Sequence, residues 1–333
     1  MNTIDDAVAF IRSISSDARV CVLYHGDADG ACGAAIIYRL LRQNVREIYT
    51  LALGRGENPF SAATIQKIEK LNPVKLIVID SGSRAGSFGS AIQSLIIDHH
   101  IPDSTPDVDV FYNPILFGEE ITATEATFNI ASRITSDRTL VWLAIAGIIG
   151  DSGVKGVPVR FREEMLRAGQ KNFQEAVALI NAARRHATFQ IDTAFRLLID
   201  AQEPSDFVNN ATRAGLANLR NEVSENLRKN LRRAPRFHGN IALIEIDSPH
   251  QIHPLVSTIW AGKLKTSVVM VANRGYLPGR VSFSMRTKTG INLLKLLKQY
   301  RSGSQEMGFG HEKASGGILA TDEFDHLLIL MGF

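Results

Sequence analysis

Among the stretches of this chain that contain nothing but apolar residues are Val20-Cys21-Val22-Leu23, Leu76-Ile77-Val78-Ile79 and Leu95-Ile96-Ile97. They have the length of strands and lack the alternation of a strand with one wet face. A strand that is apolar on both faces must be covered on both faces, which is how parallel sheets are built. Segments with helical spacing lie between them, so the expected class is α/β. The expected strands are Arg19–His25, Glu47–Leu53, Lys75–Asp80, Leu95–Ile97 and Val108–Tyr112. The expected helices are Ala31–Arg42, Ala62–Leu71, Thr124–Ile134 and Leu140–Gly150, with a polar turn over Gly26–Gly30.

At 333 residues the chain exceeds what one core usually fills. Its character changes over 187–235, which reads as a polar, mainly helical connector ending in Arg228, Lys229, Arg232, Arg233 and Arg236. The expected division is a first α/β domain over 1–186, the connector over 187–235 and a smaller α/β domain over 236–333. In the last, strands are expected at Asn240–Ile246, Ser267–Ala272 and Gly279–Met285. Helices are expected at Pro254–Lys265 and Ile291–Tyr300, followed by a glycine-rich loop over Gly308–Gly317.

The net charge of +3 is too mild for wrapping duplex DNA, though it allows a local basic groove. The basic run from Arg228 to Arg236 fits either a path for a nucleic-acid strand or a solvated face balanced by Glu222 and Glu225. No apolar run reaches the ~20 residues of a membrane span, and the first residues lack a signal-peptide layout. The two cysteines, Cys21 and Cys32, fall in a buried strand and the following helix, so free buried thiols are expected. These features point to the cytoplasm.

The polar residues that end the apolar elements carry the chemistry. The first strand runs into His25-Gly26-Asp27-Ala28-Asp29-Gly30, the third into Asp80-Ser81-Gly82 and the fourth into Asp98-His99-His100. The helix Leu140–Gly150 runs into Asp151. Ligands bind an open parallel sheet beyond the carboxyl ends of its strands, so these groups should converge there. A lone Asp after a strand is commonly a turn former or helix cap. Five aspartates crowded at one edge would repel strongly unless divalent cations compensate them. Oxygen and imidazole donors together suit manganese, zinc or iron; with no cysteine among them manganese is favoured, with magnesium as a substitute. Two such ions would clamp a phosphoryl group and activate water.

Taken together, these residues resemble the four motifs of the DHH phosphoesterases. The segment Gly308 to Gly317 is similar to the glycine-rich signature of the DHHA1 domain that accompanies them, and Ser284-x-Arg286 to an element preceding it. The resemblance covers nearly the whole chain. It implies that His25 and Asp27 bind one metal, that Asp29, His99 and Asp151 bind the other, and that Asp80 bridges them. It also implies that Asp98 orients an imidazole and that His100 lies close to the phosphate, so that Asp80, Asp98, His99 and His100 form the catalytic group. Arg286, Gly310 and His311 would grip the nucleotide. Phe309 interrupts the family's run of glycines; stacking on a base and packing in the domain core both fit it. His250 and His253, with no paired carboxylates beside them, are expected in capping or surface roles.

The family includes RecJ-like exonucleases, nanoRNases that also act on nucleoside bisphosphates, and cyclic dinucleotide phosphodiesterases. The leading expectation is a manganese-dependent exonuclease on single-stranded DNA or RNA; the runner-up is a nanoRNase or nucleoside bisphosphate phosphatase acting on short oligonucleotides, and a cyclic dinucleotide phosphodiesterase comes third. The protein would act as a monomer or homodimer, with a replication or repair protein as partner. A non-catalytic DHH-like replication subunit is the reading from a different class, and the intact ligand set argues against it.

Overall fold

The computed structural model describes residues 2–265, 267–301 and 306–333, apart from the side chain of Phe309. The chain divides into two compact units: Met1–Arg184 with Gln190–Asn218, and Arg185–Phe189 with Leu219–Phe333.

The first unit is built on five strands, β1 (Arg19–Tyr24), β2 (Glu47–Ala52), β3 (Lys75–Ile79), β4 (Gln93–Ile97) and β5 (Val110–Tyr112). All neighbours are parallel, in the order β2-β1-β3-β4-β5. The α/β parallel-sheet reading is therefore what the structure has. Alternate residues explain why the central strands are apolar throughout. Cys21, Leu23, Leu76, Val78 and Ile96 pack on one face with Ile68 of the helix Ala62–Leu71. Val20, Val22, Ile77, Ile79, Leu95 and Ile97 are buried on the other. There the helices Ala28–Leu41 and Ala123–Ala131 cover them. Gly33 permits the close approach: a Cβ there would lie 2.7 Å from Ile79 Cγ2. Cys21 and Cys32 are buried and unlinked, and burial pushes the Cys21 thiol up to about 12.

Two of the boundaries that differ from expectation move acids into helices. The helix after β1 begins at Ala28, because the Asp27 carboxylate caps it by accepting the Gly30 N–H at 3.2 Å. The helix expected to stop at Gly150 runs over Val141–Ser152, ending where Gly153 turns out at φ 70°. Asp29 therefore sits in a first helical turn and Asp151 in a last one. Helices also form at Val159–Arg167 and Gln170–Arg185, where the sequence reading assigned none.

The second unit carries β6 (Arg236–His238), β7 (Ile241–Ile246), β8 (Val268–Leu277), β9 (Arg280–Thr287), β10 (Glu306–His311) and β11 (Ala314–Ala320). Their order is β10-β11-β9-β8-β7-β6, with β7 and β8 parallel and the other neighbours antiparallel. Side chains alternate between two cores. Leu243, Met270, Phe283 and Met285 face the helices Leu293–Lys298 and Thr321–Leu330, while Ala242, Ile244, Val269 and Val271 face His253–Lys263. The segment expected as a glycine-rich loop is instead the β10–β11 hairpin. Its glycines serve close strand contact: a Cβ on Gly316 would lie 2.3 Å from Phe283 O.

His250 and His253 are buried, not surface residues. His250 Nδ1 accepts the Ala187 N–H at 3.1 Å, and the His250 and His186 rings lie 4.7 Å apart. Arg228, Lys229, Arg232, Arg233 and Arg236 are all exposed. Glu222 pairs with His186 at 2.9 Å and Arg236 with Glu245 at 2.7 Å.

Candidate metal centre

Register places the polar termini of the first unit on one line. Tyr24 pairs with Ile79, Ile79 with Ile97 and Ile97 with Tyr112, so β1, β3, β4 and β5 end at the same level. One more rung fixes the first residue of each motif. The His25 N–H donates to Ile79 O at 3.1 Å, the Asp80 N–H to Ile97 O at 2.9 Å and the Asp98 N–H to Tyr112 O at 3.2 Å. Connections from β1 and β3 leave in opposite directions along the sheet, so the crevice between their ends is the topological switch point. His25 and Asp80 occupy it. Asp80 turns the chain there at φ 61°, a conformation a non-glycine residue rarely adopts.

Asp80 is at the middle of the group. It is 3% exposed, and among the described residues its Oδ1 accepts no hydrogen bond of ordinary geometry. His99 Nε2 stands 3.3 Å from that oxygen and His100 Nδ1 3.9 Å. His25 Nδ1 lies 3.1 Å from Asp80 Oδ2 and 3.1 Å from Asp27 Oδ2. Asp80 thus belongs to three groups whose ligand atoms lie within 4.8 Å of one another: with His25 and Asp27, with Asp29 and His99, and with Asp98 and His100.

The remaining acids are held by backbone donors. Asp29 accepts the Ala123 N–H at 3.0 Å and the Thr124 N–H at 2.9 Å, so the start of the helix Ala123–Ala131 points at its carboxylate. A helix N-terminus favours negative charge. Burial and the Asp80 charge nonetheless raise the Asp29 carboxyl to about 7. Gly30 is required beside it, since a Cβ would lie 2.2 Å from His25 O. Asp98 accepts the Ser83 N–H at 2.9 Å, the His99 N–H at 2.8 Å and the His100 N–H at 3.4 Å, and its Oδ1 lies 2.8 Å from His100 Nδ1. Burial opposes its charge, but His100 and these donors outweigh burial and hold Asp98 well below the usual carboxylate range. Burial alone would also lower the His99 imidazole. Its contact with Asp80 and the charge of Asp29 reverse this and raise it to about 10.

The structure therefore brings His25, Asp27, Asp29, Asp80, Asp98, His99 and His100 together. Asp151 is exposed and belongs to none of the three groups, although the Gly150 position beside it packs on Ala28 and its charge acts on Asp29. Within the second unit, Arg286 pairs with Ala314 and Ala314 with His311, a single row across β9, β11 and β10. Arg286 Nη1 donates to Ser284 Oγ at 3.0 Å. Gly310 next to this row has φ 112°. The side chain of Phe309 lies outside the described residues.

Sequence reasoning missed Ser83, Asn113, Thr124 and Arg184. Asn113 donates to His100 O at 2.9 Å and Ser83 Oγ at 3.0 Å, bracing the Asp98-His99-His100 turn. Arg184 Nη2 lies 2.7 Å from His25 Nε2. The Thr122-x-x-Glu125 spacing marks a helix start, but nothing in sequence says that this helix aims at Asp29.

Residues 19–148 match the family model described as the DHH family, N-terminal domain. The chain carries a DHH domain. No curated protein matches the sequence. Among solved structures, RecJ in complex with Mn2+ from Thermus thermophilus is 18% identical with a TM-score of 0.70, covering 98% of this chain and 53% of its own. This chain thus spans about half the length of that protein. An exonuclease RecJ bound to manganese is 19% identical with a TM-score of 0.65, covering 98% of this chain and 92% of its own. CDC45 from Entamoeba histolytica is 9% identical with a TM-score of 0.56, covering 98% of this chain and 96% of its own. At these identities the likeness is one of fold. In the DHH domain the Asp-His-His turn is Asp98-His99-His100. No helix among the described residues is long and apolar enough to cross a membrane.

Proposed function

We propose that the DHH domain of this chain is the catalytic domain of a manganese-dependent phosphodiesterase acting on single-stranded DNA or RNA. The observation that carries the reading is Asp80. A buried carboxylate with one oxygen lacking a well-placed donor among the described residues, faced there by two imidazoles, and with the residue shared by three ligand groups, is what a bridging ligand needs before its ions arrive. Leaving it bare would otherwise cost about 1–3 kcal/mol. Oxygen and imidazole donors suit manganese, and the RecJ structures that share the fold hold it.

His25, Asp27 and Asp80 would hold one ion, and Asp29, His99 and Asp80 the other, with Asp151 completing the second set. Divalent ions at such a site neutralise the phosphate and lower the pKa of water. The other residues act around them. Asp98 fixes the His100 imidazole through Nδ1, leaving Nε2 to meet a phosphate oxygen or the leaving group. Ser83 and Asn113 hold that turn rigid. In the second unit, Arg286 and His311 would bind the nucleotide, as their resemblance to DHHA1 positions suggests.

The test is digestion of end-labelled single-stranded DNA and RNA, from dinucleotides to ~30-mers, with blunt duplex, nucleoside bisphosphate and cyclic dinucleotide alongside. The expected result is manganese-dependent stepwise shortening of single strands and slow attack on duplex. Preference for dinucleotides, bisphosphates or cyclic dinucleotides would redirect the reading to the nanoRNase or cyclic dinucleotide branches. Absence of turnover on every substrate would favour the non-catalytic replication-subunit reading that the CDC45 likeness keeps in view. Asp80→Ala should retain less than about a tenth of wild-type turnover.

A further inference from the structure

Arg184 places its guanidinium directly on a metal-ligand candidate. Its stem runs beside Gly26, the residue between His25 and Asp27: a Cβ on Gly26 would lie 3.6 Å from Arg184 Cγ and 3.7 Å from Cδ. Its Nη2 reaches His25 Nε2 at 2.7 Å, and its charge acts on Asp27. A guanidinium has five donors and no acceptor. A 2.7 Å contact with a donor-only group is a hydrogen bond when Nε2 accepts, which puts the imidazole proton on Nδ1, facing Asp27 Oδ2 and Asp80 Oδ2; burial and Arg184 oppose the doubly protonated ring that the two carboxylates favour.

A neutral imidazole has one lone pair and one N–H. A metal held by His25 must take that lone pair. If it binds Nε2, it stands where Arg184 donates. If it binds Nδ1, the proton moves to Nε2 and meets the guanidinium donor to donor. By either route, metal on His25 and Arg184 on His25 exclude each other. Metal loading also engages Asp27, the carboxylate that compensates Arg184. The guanidinium is left at the rim of the centre, its stem still held along Gly26, without that compensation. What suits a planar, multi-donor cation beside loaded metal is the oxygen pair of a phosphate.

We propose that Arg184 caps His25 in the metal-free chain and, once metal displaces it, captures a phosphate group of the substrate. The exchange would couple metal loading to phosphate binding without any backbone movement, and it rests on the phosphoesterase reading given above. It makes Arg184→Ala affect the two ligands in opposite directions. Manganese should bind tighter, by about threefold to tenfold, because a competing hydrogen bond is gone. Inorganic phosphate, titrated into the manganese-loaded chain, should bind about tenfold or more weakly. Arg184→Lys should restore phosphate binding only in part, since an ammonium cannot form the two-pronged grip.

Isothermal titration of manganese into the metal-free chain, then of phosphate into the loaded chain, reads both effects without turnover. Manganese binding that is unchanged or weaker in Arg184→Ala overturns the exclusion at His25. Unchanged phosphate binding overturns the capture role. If the wild-type chain loaded with manganese binds no phosphate, the phosphoesterase reading falls and this proposal with it. That outcome is distinct from the two in which only Arg184 fails.

Discussion

Substitution of Asp29 by asparagine should stabilise the metal-free protein and destabilise the metal-loaded one. Asp29 is 2% exposed, and its carboxyl is raised from an ordinary value of 3.8 to about 7 by burial and by Asp80. Between those two values the folded state holds a proton that the unfolded state releases, so stability falls as pH rises from about 4 to about 7. Above 7 the penalty is complete. The gap between 3.8 and about 7 is worth about 4 kcal/mol at about 1.36 kcal/mol per tenfold change. The asparagine side chain carries no charge, but its amide cannot accept both the Ala123 and Thr124 N–H groups in the two-oxygen arrangement of the carboxylate. One of these bonds would be lost, at about 1–2 kcal/mol. The expected net gain in the metal-free chain is therefore about 2–3 kcal/mol at pH 8. That corresponds to roughly 4–12 °C in Tm for a domain of this size. Near pH 4, where the unfolded state too begins to hold the proton, the charge penalty should fall below about 1 kcal/mol and no longer offset the lost hydrogen bond. Differential scanning calorimetry at pH 4.5, 6 and 8, with a chelator and then with manganese, reads all of this. A variant less stable than wild type at pH 8 in the chelator would refute the reasoning. It would mean that the helix N-terminus and His99 satisfy the charge without a metal.

Two other outcomes follow from the same geometry. His99, raised to about 10, carries a proton in the metal-free chain at pH 8 and must give it up to bind a metal, so binding should release about one proton per chain from this residue. Calorimetric titration in buffers of different ionisation enthalpy measures the release, and a value near zero would exclude His99 as a ligand. Arg286→Ala should raise KM by roughly ten- to a hundredfold, about 1.5–3 kcal/mol for a charged hydrogen bond, while manganese content by elemental analysis stays at the wild-type level. Loss of metal in that variant would contradict its assignment to nucleotide binding.

The apolar runs of β1, β3 and β4 were decisive at the level of sequence because burial on both faces leaves so few architectures. The acids that follow them were legible for the same reason: a polar residue after a buried strand marks the sheet edge where ligands bind. Sequence periodicity could not place Asp27 and Asp29, because a cap and a first turn depend on which carboxylate reaches a backbone N–H. Nor could it distinguish a glycine-rich loop from the β10–β11 hairpin, since glycine serves both turns and tightly apposed strands. The sequence by itself determined the α/β class, the order of the motifs and the donor chemistry, because these follow from local apolar patterning and residue type. Only the tertiary structure decided that the helix Ala123–Ala131 aims at Asp29 and that Arg184 reaches His25 across 159 positions of chain. Those relations depend on strand register and on contacts between segments far apart in sequence, which no local pattern encodes.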